Sequence, residues 1–166
     1  LTILVLILTL SLNKSFAADI PVIVISPGKT AQSYDKVGSS VSVINSDDIK
    51  NSSSNFIAEI ISERTTSTNS FQMGGYGNNT GIQLRGLEKR YSTVYIDGVK
   101  MSDPASPDNS FYFQHIMKDS IERVEVLKGN QSTLYGSNAI GGTIHIFTKK
   151  GKEGHRSTTK VSAGSN

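Results

Sequence analysis

The 166-residue chain is predicted to adopt an α+β fold, a small mixed β-sheet with short helices and long loops. Three observations lead there. Short runs alternate apolar and polar residues at 93–96, 99–101, 122–128 and 143–148, as half-buried strands do. Two short segments read as helix starts: 46–49 has a polar cap and first-turn acids, and 55–62 carries apolar residues at helical spacing behind a serine cap. Fifteen glycines and several polar stretches leave long connections between these elements, and an apolar share of 36% suits a modest core.

The first eighteen residues stand apart. Ile3–Leu12 is an apolar run of ten, short of the roughly 20 residues a membrane-spanning helix needs. It fits the apolar region of a signal peptide, with Ser15-Phe16-Ala17 offering small residues for cleavage after Ala17. A buried core helix is the alternative, and nothing amphipathic flanks the run to favour it. No basic residue precedes the run and residue 1 is Leu, so the sequence is expected to begin after the true start. Export of a cysteine-free chain suits a Gram-negative envelope.

Ile20–Ser26 is β-prone but bracketed by Pro21 and Pro27-Gly28, which discourages a central strand. Residues from Asp19 to about Gln32 read as a flexible arm. Ser42-Val43-Ile44 is extended, and Ser46, Asp47 and Asp48 supply a cap and first-turn acids for a helix through Ile49. Ser53 or Ser54 caps a second helix over 55–62, with Phe56 or Ile57, Ile60 and Ile61 on one face. Residues 65–80 read as a polar, glycine-rich loop. It lacks the Gly-Lys-Ser/Thr and the following helix that a phosphate loop requires.

Gly81–Leu84 forms a strand that ends at Arg85-Gly86. Asp97-Gly98 between Thr93–Ile96 and Val99–Met101 marks a hairpin, because a type I′ turn needs positive φ at both central residues. Residues 103–108 form a loop, and 111–119 a short helix or turn with Phe113, Ile116 and Met117 inward. In 122–128, Val124 and Val126 face one way while Arg123, Glu125 and Leu127 face the other. A glycine-rich connection, 129–142, leads to a last strand, 143–148. Lys149–Arg156 reads as a solvated basic turn before a weakly alternating tail.

Several functions are excluded. With no cysteine there is no disulfide framework, thiol nucleophile or thiolate metal site. A net charge of +3 from 17 basic and 14 acidic residues is too small and scattered for nucleic acid. His115, His145 and His155 lack metal-ligand spacing, and His145 reads as a hydrogen-bonded structural residue. Ser137 is not in a G-x-S-x-G elbow. Asp103 and Asp108 read as solvated loop acids rather than a calcium site. No catalytic constellation, metal site or cofactor is expected.

Four motifs, in order, carry a resemblance. Arg123-Val124-Glu125-Val126-Leu127-Lys128-Gly129, then Leu134-Tyr135-Gly136-Ser137 and Ala139-Ile140-Gly141-Gly142-Thr143-Ile144, resembles the closing motif of the plug domain in TonB-dependent outer-membrane receptors. Ile82-Gln83-Leu84-Arg85-Gly86 resembles the plug's "IRG" strand, and Val94-Tyr95-Ile96-Asp97-Gly98-Val99 its "IDGV" hairpin. Val22-Ile23-Val24-Ile25-Ser26 resembles the TonB box. The stretch from Tyr135 to Gly142 is especially similar to the vitamin B12 (cobalamin) receptor branch. Lys128 departs from a frequent Arg, which gives up a two-pronged bond to carboxylate.

The resemblance implies a division into signal peptide (1–17), TonB box and arm (18–32), plug (33–149), and linker with the start of a barrel strand (150–166). It implies a transmembrane β-barrel of roughly 22 strands contributed by residues beyond this chain. In that setting Arg85, Lys128, Arg123 and Glu125 lock plug to barrel. Tyr76, Asn78, Asn79, Asp103 and Asp108 lie on loops that face the ligand, a cobalamin-like metal chelate. A ferric siderophore or haem is the alternative ligand, and a free-standing periplasmic domain the alternative architecture. TonB, the barrel and the outer membrane are the implied partners.

Overall fold

A computed structural model describes residues 23–24 and 28–151, together with positions 154, 159 and 161. The expected signal peptide, Val22, Ile25 and Ser26 of the TonB-box segment, and most of the 150–166 tail lie outside the described residues.

Among the described residues, nine strands and three α-helices follow in order, besides three short 3-10 helices: β1 (Ile23–Val24), β2 (Gln32–Ser33), β3 (Ser40–Ile44), α1 (Ser46–Asn51), α2 (Ile57–Arg64), β4 (Thr68–Gln72), β5 (Thr80–Leu84), β6 (Ser92–Ile96), β7 (Val99–Met101), β8 (Ile121–Lys128), α3 (Ser132–Tyr135) and β9 (Gly142–Thr148). The main sheet runs β3-β8-β9-β6-β7, and β1–β2 and β4–β5 form separate two-stranded ribbons. It is mixed, because β9 is antiparallel to β8 but parallel to β6.

Strand alternation gives the sheet two unlike faces. Ile44, Val94, Val124, Val126, Ile144 and Ile146 point to one side, where Ile49 of α1, four residues of α2, β5 and Phe113 cover them. Nearly all of that core is aliphatic and closed to water. The opposite face carries a smaller cluster of Val24, Val41, Leu127, Tyr135 and Ala139.

The hairpin is as expected, with Asp97 at φ 48° and Gly98 at φ 84°. Asp97 also accepts bonds from the backbone N–H and hydroxyl of Thr148, which fastens the turn to the end of β9. These bonds hold its carboxyl below the usual range against a smaller opposing effect of burial.

Other expectations are corrected. The first helix is capped by Asn45, whose side chain accepts from the Asp47 and Asp48 N–H groups while the Asp48 carboxylate accepts from the Asn45 N–H. The second starts at Ile57, with Phe56 at its cap position instead of Ser53 or Ser54. Within the expected loop 65–80 lies β4, held by β5, where Phe71 stands opposite Gly81. A Cβ at Gly81 would lie 2.5 Å from the Phe71 ring, so the glycine makes room for it. The segment 111–119 holds a turn at 114–115 and runs into a short 3-10 helix, Lys118–Ser120. Phe113 donates its N–H to the Thr80 carbonyl at 2.8 Å and Met117 bridges to Phe56, leaving Phe113 buried but Met117 half exposed. Within the glycine-rich connection sits the one-turn helix α3. The arm is not free at its described positions, since Ile23 and Val24 pair with Ser33 and Gln32.

Candidate functional site

β5 separates two candidate regions by the length of a five-residue strand, about 17 Å. At its Leu84 end the chain turns through Arg85 (φ 54°) and Gly86. The Arg85 N–H donates to the Ser67 carbonyl at 2.7 Å, and Ser67 also has positive φ. Two non-glycine residues in left-handed conformations so close together fix where the Arg85 side chain leaves the backbone. Its guanidinium lies against Gly129, where even a methyl group would come within 3.4 Å of Nη1. Lys128 ends β8 beside it, largely buried, its ammonium donating to Thr66 Oγ1 at 3.1 Å. The fold therefore brings Arg85 and Lys128 to one corner. Neither has a carboxylate partner among the described residues. A surface concavity of about 420 Å³, lined by Ser67, Thr68, Asn69, Arg85 and Gly86, opens there.

Arg123 and Glu125, expected to share that locking role, are engaged elsewhere. Glu125 is fully buried, and its carboxylate accepts from Arg123 Nε and Nη2, each at 3.0 Å. The Arg123 guanidinium also lies over the Phe147 ring, 4.2 Å from its centroid. Two residues apart on one strand, the two side chains point to the same face, and Glu125 is closed to solvent.

At the Thr80 end of β5 lie the loops expected to face a ligand. Tyr76 is 77% exposed and stacks on Phe56 with ring centroids 5.4 Å apart. Ser53, Ser54, Asn55, Glu59 and these two rings line a concavity of about 500 Å³. Sequence reading assigned Phe56 to a helix face and missed this pairing, because twenty residues separate the rings. Asn78 closes the loop by donating from Nδ2 to the Gly75 carbonyl at 3.0 Å, and the Asn79 carbonyl accepts from the Met73 N–H.

The acids of the neighbouring loop are used internally. Asp103 Oδ1 accepts from the Ala105 N–H at 2.9 Å. Asp108 accepts from the Lys89 ammonium, the Ser106 hydroxyl at 2.6 Å and the Ser110 N–H at 3.2 Å. Burial works to raise the Asp108 pKa, but these bonds outweigh it and hold the carboxyl well below the carboxylate range. Lys89 also sits over the Tyr112 ring, so this ion pair pins the loop instead of presenting a free charge.

On the second sheet face, His145 is buried between aromatic rings. Its imidazole stacks on Tyr95 at 4.8 Å, meets Tyr135 edge-on at 5.0 Å, and hydrogen-bonds through Nε2 to Thr143 Oγ1 at 3.0 Å. Burial pushes it down to about 4 despite the attraction of Glu125. Burial, aided by Tyr95 and Glu125, pushes the Tyr135 phenol up to about 12. Within the segment 22–26, expected to be a TonB box, Val24 is fully buried in a cluster with Tyr135 and its neighbours. Among the described residues no group of three His, Asp or Glu gathers to hold a metal, and no helix is long and apolar enough to cross a membrane.

Residues 33–143 match the family model described as TonB-dependent Receptor Plug Domain. The chain is 32% identical over 139 residues to a vitamin B12 transporter, BtuB, of Photobacterium profundum, covering 82% of this chain and 22% of that protein. It is 30% identical over 137 residues to an iron-regulated outer membrane virulence protein of Vibrio cholerae, covering 78% and 20% respectively. Among solved structures, the siderophore receptor PiuA of Acinetobacter baumannii superposes with a TM-score of 0.53 at 30% identity, over 71% of this chain and 15% of that one. The chain thus spans about a fifth of the length of the curated relatives it matches.

Proposed function

The chain belongs to the TonB-dependent receptor plug domain family, and from that premise we propose that it is the gate of an energised outer-membrane importer for a large, scarce nutrient. A cobalamin-like metal chelate is the preferred cargo, in keeping with the B12 transporters among its relatives. The iron-regulated relative and the siderophore receptors keep a ferric chelate as the second reading.

The observation that carries the gating role is the corner where Arg85 and Lys128 converge without a carboxylate inside the domain's described residues. Two cations held on a strained turn and a strand end suit a surface that meets acidic groups of a surrounding barrel. Such a pair, partly removed from water, gains more from a carboxylate than a solvated surface pair does. Arg123 and Glu125 already form an ion pair within the domain, which leaves Arg85 and Lys128 as the stronger candidates for this role. On the cargo side, Tyr76 and Phe56 offer a stacked aromatic platform, with Asn78 and Asn79 beside it as amide hydrogen-bonding groups. The segment 22–26 serves as the TonB contact by adding a strand to a partner's sheet edge.

The cargo is tested by titrating the intact receptor with cyanocobalamin and with ferric siderophores. Saturable binding of cobalamin alone supports the preferred reading, and binding of a ferric chelate alone replaces it. The gate is tested by Arg85→Ala in the intact receptor, which is expected to raise permeability to large antibiotics and loosen the domain's resistance to protease. Unchanged permeability and protection in that variant would remove the locking role.

A further inference from the structure

The N-terminal arm and the buried histidine share one ring. Tyr135 meets His145 edge-on, forms part of the socket that buries Val24, and carries the Lys29 ammonium 5.1 Å from its centroid. We propose that this contact is a proton-sensitive latch, in which protonation of His145 weakens the docking of β1 and Lys29 on the second face of the sheet.

Groups from four elements surround the imidazole. β6 contributes Tyr95 in parallel stacking, β8 contributes Glu125 directly across the strand register, α3 contributes Tyr135 and the arm contributes Lys29. Glu125 is the only acid in that set, and Arg123 already holds it. A charged imidazole in this place is a cation with little water, packed between rings and repelled by the Lys29 ammonium. Lifting the arm removes Lys29 and uncovers Tyr135, so the undocked state accommodates the charge better.

The sign follows from linkage. With the arm down, burial holds the imidazole to about 4, whereas a solvated histidine titrates near 6.5. Docking is therefore at full strength above about pH 6.5 and weakens as pH falls from there toward 4. Only the part of this shift that leaves with the arm weakens docking, so the docking equilibrium is weaker at pH 4.5 than at pH 7.5. The inference concerns the arm alone. It survives a change of cargo, and because Ile23 and Val24 lie in the proposed TonB contact, acid becomes a second means of presenting that segment.

The test uses the intact protein with Thr30→Cys, an exposed arm position in a chain that otherwise contains no cysteine, carrying a nitroxide label. The spectrum is expected to be immobilised at pH 7.5 and to gain a mobile component between pH 6.5 and 4.5. His145→Gln keeps a side chain able to bond Thr143 and is expected to flatten that titration to less than twofold. Lys29→Gln is expected to keep the titration but shrink it. An arm whose mobility ignores pH, or one that titrates identically in wild type and His145→Gln, overturns the latch. Should His145→Gln fail to fold, the ring titration of His145 read by NMR in the wild-type protein decides. A value at or above 6.5 with the arm immobilised, or a lower one that does not rise when Val24→Asp displaces the arm, overturns the proposal.

Discussion

The two faces of the main sheet are built from the same strands, yet one is sealed and the other is negotiable. On the helix side, Val124, Val126, Ile144 and Ile146 meet α1, α2 and Phe113, with no charge and almost no exposed atom. On the arm side the alternate residues of those strands are Glu125, Leu127, Thr143 and His145, covered in part by a two-residue strand and a lysine. Aliphatic packing gives the domain its stability. The polar, aromatic face costs stability to bury and is closed by elements with little area of their own, so it suits a cover that comes off.

Substitutions can break that contrast, and the largest effect belongs to the sealed face. Ile144→Ala removes a fully buried side chain at the middle of the sheet and is expected to cost about 2–5 kcal/mol in denaturant unfolding. A cost below about 1 kcal/mol would mean that the helix side is not the stabilising one.

Arg123→Ala comes next. It removes the ion pair to the buried Glu125 carboxylate and is expected to cost about 1–3 kcal/mol, discounted because Arg123 is itself 30% exposed. Adding Glu125→Met, of similar volume, should recover part of that loss. A double variant no more stable than Arg123→Ala would argue that the stacking of Arg123 on Phe147 matters more than the ion pair.

Acid sharpens the comparison in two stages. His145, held low in the folded protein, supports stability fully above about pH 6.5 and loses that contribution as pH falls toward 4. Asp97 and Asp108 have depressed carboxyls, so their contribution is intact above about pH 4 and is lost only below it. Stability curves measured from pH 8 to 3 should show the histidine stage first, and His145→Gln should erase that stage alone. The smallest effect is expected from Val24→Ala. It should weaken arm docking by about 1–2 kcal/mol, read as faster amide exchange in β1 and β2, while leaving the global unfolding midpoint in place.

Much of the fold could be read in advance because its signals are local. The Asp97-Gly98 turn demands positive φ, and β8 and β9 announce themselves by alternation over seven or eight residues. What escaped depends on partners distant in sequence. β4 reads Thr-Asn-Ser-Phe-Gln, with one apolar residue, and exists because β5 bonds it and Gly81 leaves space for Phe71. Residues 111–119 read as a short helix or turn, but what fixes them is two long-range backbone bonds, from Phe113 to Thr80 and from Ile57 to Ile116. The same division holds for the sites. Arg85 and Lys128 were found through motifs, whereas their convergence, the Phe56–Tyr76 stack and the internal use of Glu125 and Asp108 arise only from folding.

The position of β9 has a consequence for how the domain comes together. It is the last of the described strands in sequence and the middle strand of the sheet, with β8 on one side and β6 on the other. Until residues 142–148 arrive, the β3–β8 pair and the β6–β7 hairpin have no hydrogen-bonded edge in common. Closure is thus a late, non-local event, and contacts of such large sequence separation slow folding. The two strand pairs therefore stay separate until the last described strand joins them.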